Sequence, residues 1–145
     1  MKISTKGRYG LKAMMDIAIY TSCESIALKS ISERQNISEK YLEQIFSALR
    51  KNGLVISKKG AQGGYSLANH PSKITVGDIL RVLEGDLDVV DWEESMKDDI
   101  LEKCIYDNIW KKLNISIASI VDLITLEDLV EQYNKSKGIE YMYYI

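Results

Sequence analysis

The stretch Lys58-Lys59-Gly60-Ala61-Gln62-Gly63-Gly64-Tyr65 decides the fold of this chain. Two lysines enter a glycine-rich turn and an aromatic residue leaves it. Leu54 to Lys58 alternates apolar and polar residues, as a half-buried strand does, and Tyr65 to Ala68 returns beside it, with Gly60 to Gly64 as the turn. The glycines at 60, 63 and 64 permit positive φ angles and a close backbone approach to a groove. A basic hairpin of this kind is the wing of a DNA-binding unit.

Upstream, two short helical patterns complete that unit. Leu28 to Gln35 is a helix with Leu28 and Ile31 inward, and Asn36-Ile37 makes the turn. Ser38 caps a third helix that runs to about Asn52, with Glu39 in its first turn and Arg50 and Lys51 at its end. Its buried side is Tyr41, Leu42, Ile45, Phe46 and Leu49, and Gly53 stops it. Ser38, Lys40, Tyr41, Glu43 and Gln44 occupy the exposed first turns, where a recognition helix meets base edges. A Gln amide suits adenine and a carboxylate accepts from the cytosine amine, so Gln44 and Glu43 are candidate readers. The plainer alternative leaves Tyr41 in the core and Glu43 as a surface carboxylate. Lys58, Lys59, Gly60, Gln62 and Gly63 form the wing contact, and Lys2 and Lys6 add cations that either reach phosphate or stay solvated.

Working outward, Gly10 to Cys23 reads as a first amphipathic helix, with Leu11, Met14, Met15, Ala18 and Ile19 on one face. Thr75 caps a fourth, Val76 to Glu84, that closes at Gly85. The chain turns acidic from Asp86 to Asp99. A long helix follows from about Met96 to Ile124, its stripe made by Ile100, Cys104, Leu113, Ile117, Ile120 and Ile124 and broadened by Leu101, Ile105, Ile109, Trp110 and Val121. So wide an apolar face implies a partner helix, for which a symmetric homodimer through Leu113, Ile117, Ile120, Val121 and Ile124 is the economical solution. Thr125-Leu126-Glu127-Asp128 starts a last short helix to about Tyr133. The expected fold is mainly α: a winged helix-turn-helix with a two-stranded β wing and a long C-terminal dimerisation helix. Residues 1–85 form the DNA-binding domain, 86–134 the acidic linker and dimerisation helices, and 135–145 a tail.

Charge follows this division. The 145 residues carry a net charge of −2, but residues 1–85 hold 13 Lys/Arg against 7 Asp/Glu while residues 86–145 hold 6 against 14. A basic head with an acidic remainder fits a phosphate-binding module joined to a second region. The apolar run Leu11 to Tyr20 is broken by Lys12 and Asp16 and is too polar for a signal core or a membrane span. Two cysteines, Cys23 and Cys104, make no disulfide framework, and a reducing cytoplasm is the expected compartment. Cys104, on the stripe, reads as core, and Cys23 as inert. One histidine, His70, and no Cys–His or paired-carboxylate spacing leave little for an enzyme, so no catalytic residue is assigned.

The opening Met1-Lys2-Ile3-Ser4-Thr5-Lys6-Gly7-Arg8-Tyr9-Gly10 resembles the start of the Rrf-two family of bacterial transcription regulators. So do Tyr41-Leu42-Glu43-Gln44-Ile45, Leu49-Arg50-Lys51-Asn52-Gly53-Leu54-Val55, the wing, Gly77 to Gly85 and Thr125 to Leu129. The resemblance implies homodimeric winged-helix proteins that bind palindromic operators in double-stranded DNA. Many members hold an iron–sulfur cluster on three cysteines. Here the matching positions are Trp92, Asp98 and Cys104, so neither cofactor nor metal is expected.

The cluster-free branch regulates cysteine metabolism, and the resemblance to it implies a repressor that works with cysteine synthase (O-acetylserine thiol-lyase). Serine acetyltransferase docks on that enzyme through a C-terminal isoleucine carboxylate. The ending Tyr141-Met142-Tyr143-Tyr144-Ile145 offers the same pieces, or else folds back on its own dimer. A redox- or iron–sulfur-responsive regulator and an adaptor that does not bind DNA are the alternatives.

Overall fold

A computed structural model describes residues 2–20 and 24–143, with side chains as far as Gly138. The helices are α1 (Thr5–Tyr20), α2 (Leu28–Gln35), α3 (Glu39–Lys51), α4 (Val76–Glu84), α5 (Ile100–Ile105), α6 (Lys111–Leu123) and α7 (Leu126–Tyr143). Two strands, β1 (Val55–Lys58) and β2 (Gly64–Leu67), pair antiparallel with Val55 opposite Leu67 and Lys58 opposite Gly64. The winged helix-turn-helix architecture is therefore present, with long helices after it.

The main core joins α1 to α4 and the base of the wing. Met14, Ile17, Ile31, Leu42, Ile45, Phe46, Leu49, Ile79 and Leu126 are fully enclosed there. Burying each such side chain contributes about 1.5–3 kcal/mol, so this cluster holds the helix-turn-helix and the base of the wing together. A second, smaller cluster sets Val76, Leu80 and Leu87 against Ile117, Val121 and Ile124. The α4 helix thus has a buried face on each side.

α1 begins at Thr5 rather than Gly10. Glu84 of α4 reaches across and accepts hydrogen bonds from the Ser4 and Gly7 amides at 2.9 and 3.1 Å, satisfying donors that an N-terminus leaves open. Gly7 and Gly10 are what allow it. A β carbon at Gly7 would lie 2.1 Å from a Glu84 oxygen, and one at Gly10 2.0 Å from a Leu83 methyl. Two glycines that weaken the helical signal locally are the contact surface for α4.

The long C-terminal helix is interrupted. A 3-10 turn, Glu94–Asp98, precedes it, and Asp99 caps α5 by accepting from the Glu102 amide at 3.1 Å. A π-helical turn, Tyr106–Trp110, separates α5 from α6. Each inserted residue turns the downstream face by about 100°, so the stripe expected from Ile100 to Ile124 is not one straight line. Cys104, expected in the core, is exposed on α5.

The acidic linker is fastened to this helix. Asn114 on α6 accepts from the Val89 amide at 2.7 Å and donates to the Val90 carbonyl at 3.0 Å. α7 continues to Tyr143, ten residues past the expected end near Tyr133. Its polar run Asn134 to Lys137 lacks an apolar stripe, yet only Gly138 interrupts it, and one glycine costs a helix about 1 kcal/mol.

Candidate nucleic-acid interface

α2, the turn and α3 have the geometry of a helix-turn-helix. Asn36 adopts the left-handed conformation (φ 54°) that ends α2, and Ser38 Oγ accepts from the Tyr41 amide at 3.0 Å to begin α3. Leu42, Ile45, Phe46 and Leu49 point inward, which leaves Ser38, Lys40, Glu43 and Gln44 exposed on the opposite side. Tyr41 is half-buried, edge-on to Tyr9 with ring centres 6.1 Å apart. It combines the packing and the surface position that the sequence left open.

A buried charge fixes α2 against α1. Asp16 is wholly enclosed and accepts two hydrogen bonds from Arg34, at 2.9 and 2.7 Å, and a third from Gln35 at 2.7 Å. The hydrogen bond to Asp16 raises the Arg34 guanidinium above its ordinary range, and that group also lies 4.3 Å over the Tyr20 ring. Asp16 interrupts an apolar helix, and its partners stand 18 and 19 residues away, so no local pattern signals the triad.

The wing stands out from the body. Lys58, Lys59, Gly60, Ala61 and Gln62 are exposed at its tip. Gly60 has φ 110°, a conformation that suits glycine. Gly63 serves differently: a β carbon there would lie 2.4 Å from the Lys58 carbonyl oxygen and 2.9 Å from that of Gly60, so the turn closes because the side chain is absent. At its base, Tyr65 packs on Phe46 with ring centres 4.9 Å apart, tying the wing to the back of α3.

By sequence alone Arg50 is a helix-end charge. In the structure it shares a surface concavity with Ser57, Lys58, Lys59, Gly64 and Tyr65, which makes a cationic cleft between the end of α3 and the wing. The adjacent Arg50-Lys51 pair was the available signal. Among the described residues, none of Lys40, Arg50, Lys58 or Lys59 is held in an ion pair. Lys2 is exposed and Lys6 half-buried, both at the start of α1.

The expected dimer residues divide between two faces. Leu113 and Ile120 are exposed on α6, with Leu123 beside them. Ile117, Val121 and Ile124 are half-buried against α4 of their own chain, so they are not wholly available to a second copy. Exposed Ile100, Leu101 and Ile109 extend the apolar surface on the N-terminal side. Tyr141, Met142 and Tyr143 fall at the end of α7, whereas Tyr144, Ile145 and Cys23 lie outside the described residues.

A helix-turn-helix whose second helix exposes polar side chains beside an exposed cationic wing is the architecture of a winged-helix DNA-binding protein. Residues 3–132 match the family model Rrf2, described as an iron-dependent transcriptional regulator, and the chain belongs to that family. It is 43% identical to the HTH-type transcriptional regulator CymR of Bacillus subtilis (strain 168), over the whole of both chains. It is 39% identical to IscR of Yersinia enterocolitica over 90% of this chain and 79% of that one. The solved structure of B. subtilis CymR, described as the global cysteine regulator of that organism, superposes with a TM-score of 0.78 at 44% identity, covering 91% and 98% of the two chains. Staphylococcus aureus CymR gives 0.69 at 39% identity over 88% and 97%. The relatives are named as transcriptional regulators, not enzymes, and this chain is a transcriptional regulator of the same family.

The residues present do not fit an iron–sulfur cluster. Trp92 carries no ligand atom and stacks edge-on against Tyr106 with ring centres 4.9 Å apart. Asp98 ends the 3-10 turn, and Cys104 is the one thiol among the described residues, where a cluster takes about four protein ligands. The carboxylates of Asp86, Asp88 and Asp91 gather within 4.8 Å of one another, all exposed. Asp86 foremost raises the Asp91 carboxyl above its usual range, as crowded like charges do.

Proposed function

We propose that this chain is a homodimeric repressor of cysteine and sulfur metabolism genes, working in the cytoplasm on palindromic operators. Complex formation with cysteine synthase modulates its affinity for DNA. The observation that carries this reading is the 43% identity over full length with the B. subtilis regulator. The exposed polar turn of α3 beside an exposed cationic wing supports the DNA-binding part.

In this reading the first turns of α3 enter the major groove. The Gln44 amide pairs with an adenine edge, the Glu43 carboxylate accepts from a cytosine amine, and Lys40 and Tyr41 meet the backbone. Lys58 and Lys59 neutralise phosphates, while Gly60, Gln62 and Gly63 bring the turn's main chain close to the minor groove. Lys2 and Lys6 add backbone contacts at the start of α1. Two copies join through Leu113, Ile120 and their exposed neighbours, with Ile117, Val121 and Ile124 supporting from the border. Half-sites about 34 Å apart, one helical turn, are then read together. The residues Tyr141 to Ile145 recruit cysteine synthase, Ile145 supplying an apolar side chain and a carboxylate. No described helix is long and apolar enough to cross a membrane.

The test is selection of bound sequences from random duplex DNA, with and without cysteine synthase. A palindrome should be enriched, and its yield should change when the enzyme is added. Enrichment of a single unpaired site would remove the dimer from the reading, and an enzyme without effect would remove the partner.

A further inference from the structure

α4 is the plate between the reading helix and the dimerisation helix. Its Ile79 and Leu83 enter the main core with Ile45 and Leu49 of α3, and its Val76 and Leu80 pack on Ile117, Val121 and Ile124. Whatever sets α6 on α4 therefore sets where α3 stands relative to the dimer axis. Apolar contact alone resists separation but is non-directional.

Two directional links add to it. The Val76 amide donates to the Ile124 carbonyl at 2.8 Å and the Leu126 amide to that of Ile74 at 2.9 Å. Arg81 then grips Asp122 with both guanidinium nitrogens, at 2.5 and 3.0 Å. This pair sits over Gly77, where a β carbon would lie 2.0 Å from Asp122 Oδ1 and 2.7 Å from Arg81 Nη1. The glycine is the seat that lets the ion pair close. Both partners are more than two-fifths exposed, so the pair adds little to global stability. Its bidentate geometry still restricts rotation of one helix on the other.

We propose that the Arg81–Asp122 clasp over Gly77 is a positioning device that selects the spacing between operator half-sites. The inference rests on the dimeric, palindrome-reading function proposed above. Arg81, Asp122 and Gly77 touch no base in that reading. They act through α4 on where the two α3 helices stand.

The experiment uses the full chain and synthetic palindromes that share one selected half-site and differ in spacing by single base pairs. Affinities of wild type, Asp122→Asn and Gly77→Ala are measured by fluorescence anisotropy, with thermal melts to confirm folding. Wild type should favour its best spacing over the neighbours by about tenfold or more, and both variants should narrow that ratio about threefold or more while melting as cooperative proteins. An unchanged ratio in the folded variants overturns the proposal, and so does an equal loss at every spacing. A wild type that is indifferent to spacing strikes the palindromic reading itself and takes the clasp with it.

Discussion

The main chains of Ile26 and Tyr65 exchange two hydrogen bonds, each 2.8 Å long. The return strand of the wing is therefore also the partner of the residue that leads into α2. The wing and the helix-turn-helix are one unit, and a change at this bridge moves both together.

Gly64 lies at that bridge. A β carbon there would sit 2.2 Å from the Ile26 carbonyl oxygen and 2.8 Å from the Ala27 nitrogen. Backbone cannot step aside as a flexible side chain can, so Gly64→Ala should cost about 1–3 kcal/mol. Urea denaturation checks it: the midpoint should fall, and a midpoint equal to wild type would mean that the bridge is not formed in solution.

Removing the wing cations should weaken DNA binding through the phosphate term. Each lost contact lowers the slope of log affinity against log salt by about 0.9, so Lys58→Ala/Lys59→Ala should reduce it by about 2. Anisotropy titrations from low to physiological salt provide the slope. If it does not change, the wing does not touch the backbone.

Asp16→Asn should destabilise the packing of α2 on α1. It removes the charge that Arg34 and Gln35 surround and leaves the guanidinium with a neutral partner. Arg34 keeps about a third of its side chain in solvent, so the expected loss is about 2–3 kcal/mol, below the usual cost of orphaning a buried charge. Asp16→Leu/Arg34→Leu should recover most of it, since no isolated charge remains. Chemical denaturation of the single and double variants would contradict the pairing if their losses simply added.

Acid should loosen α6 from α4. The hydrogen bond from Arg81 holds the Asp122 carboxyl below its ordinary value of 3.8. A carboxyl more acidic folded than unfolded contributes stability that is complete above the unfolded value and is lost as pH falls through the folded one. The clasp should thus be intact at neutral pH and still closed at 3.8, opening only as pH falls through the lowered value of the folded protein. A carbon-detected NMR titration of Asp122 should show its midpoint below 3.8 in wild type and close to it in Arg81→Ala. Coinciding midpoints would contradict the ion pair.

Deleting Glu140 to Ile145 should abolish or strongly weaken binding to cysteine synthase while leaving DNA binding by the isolated regulator intact. Calorimetry with the purified enzyme measures the first and anisotropy the second. Unchanged affinity for the enzyme would refute recruitment through these residues.

Local signals were legible where a residue acts on its near neighbours. Ser38, Thr75 and Thr125 announce helix starts because their hydroxyls bond an amide three residues on, and all three do so here. Lys58 to Tyr65 announces a hairpin because its glycines suit a tight turn. The start of α1 was not legible, since Gly7 and Gly10 depress helix propensity while their purpose is contact with Glu84 and Leu83. The π turn at Tyr106–Trp110 was hidden as well, because unbroken apolar spacing reads as one regular helix. The place of Arg50 in the cleft was hidden for a different reason: its neighbours there come from the wing, not from its own helix.

By itself, then, the sequence determined the helix-turn-helix, the wing and α4, their order along the chain, and which polar side chains stand at the tip of the wing and the front of α3. Propensity, capping and turn residues act over three or four positions, and those distances can be read along a chain. Only the tertiary structure decided which charges are paired, which apolar residues of α6 are spent on α4 and which remain open, and how the wing is tied to α2. Those outcomes rest on contacts between residues tens of positions apart, such as Asp16 with Arg34, Ile26 with Tyr65 and Arg81 with Asp122, and no local pattern encodes which distant partner arrives.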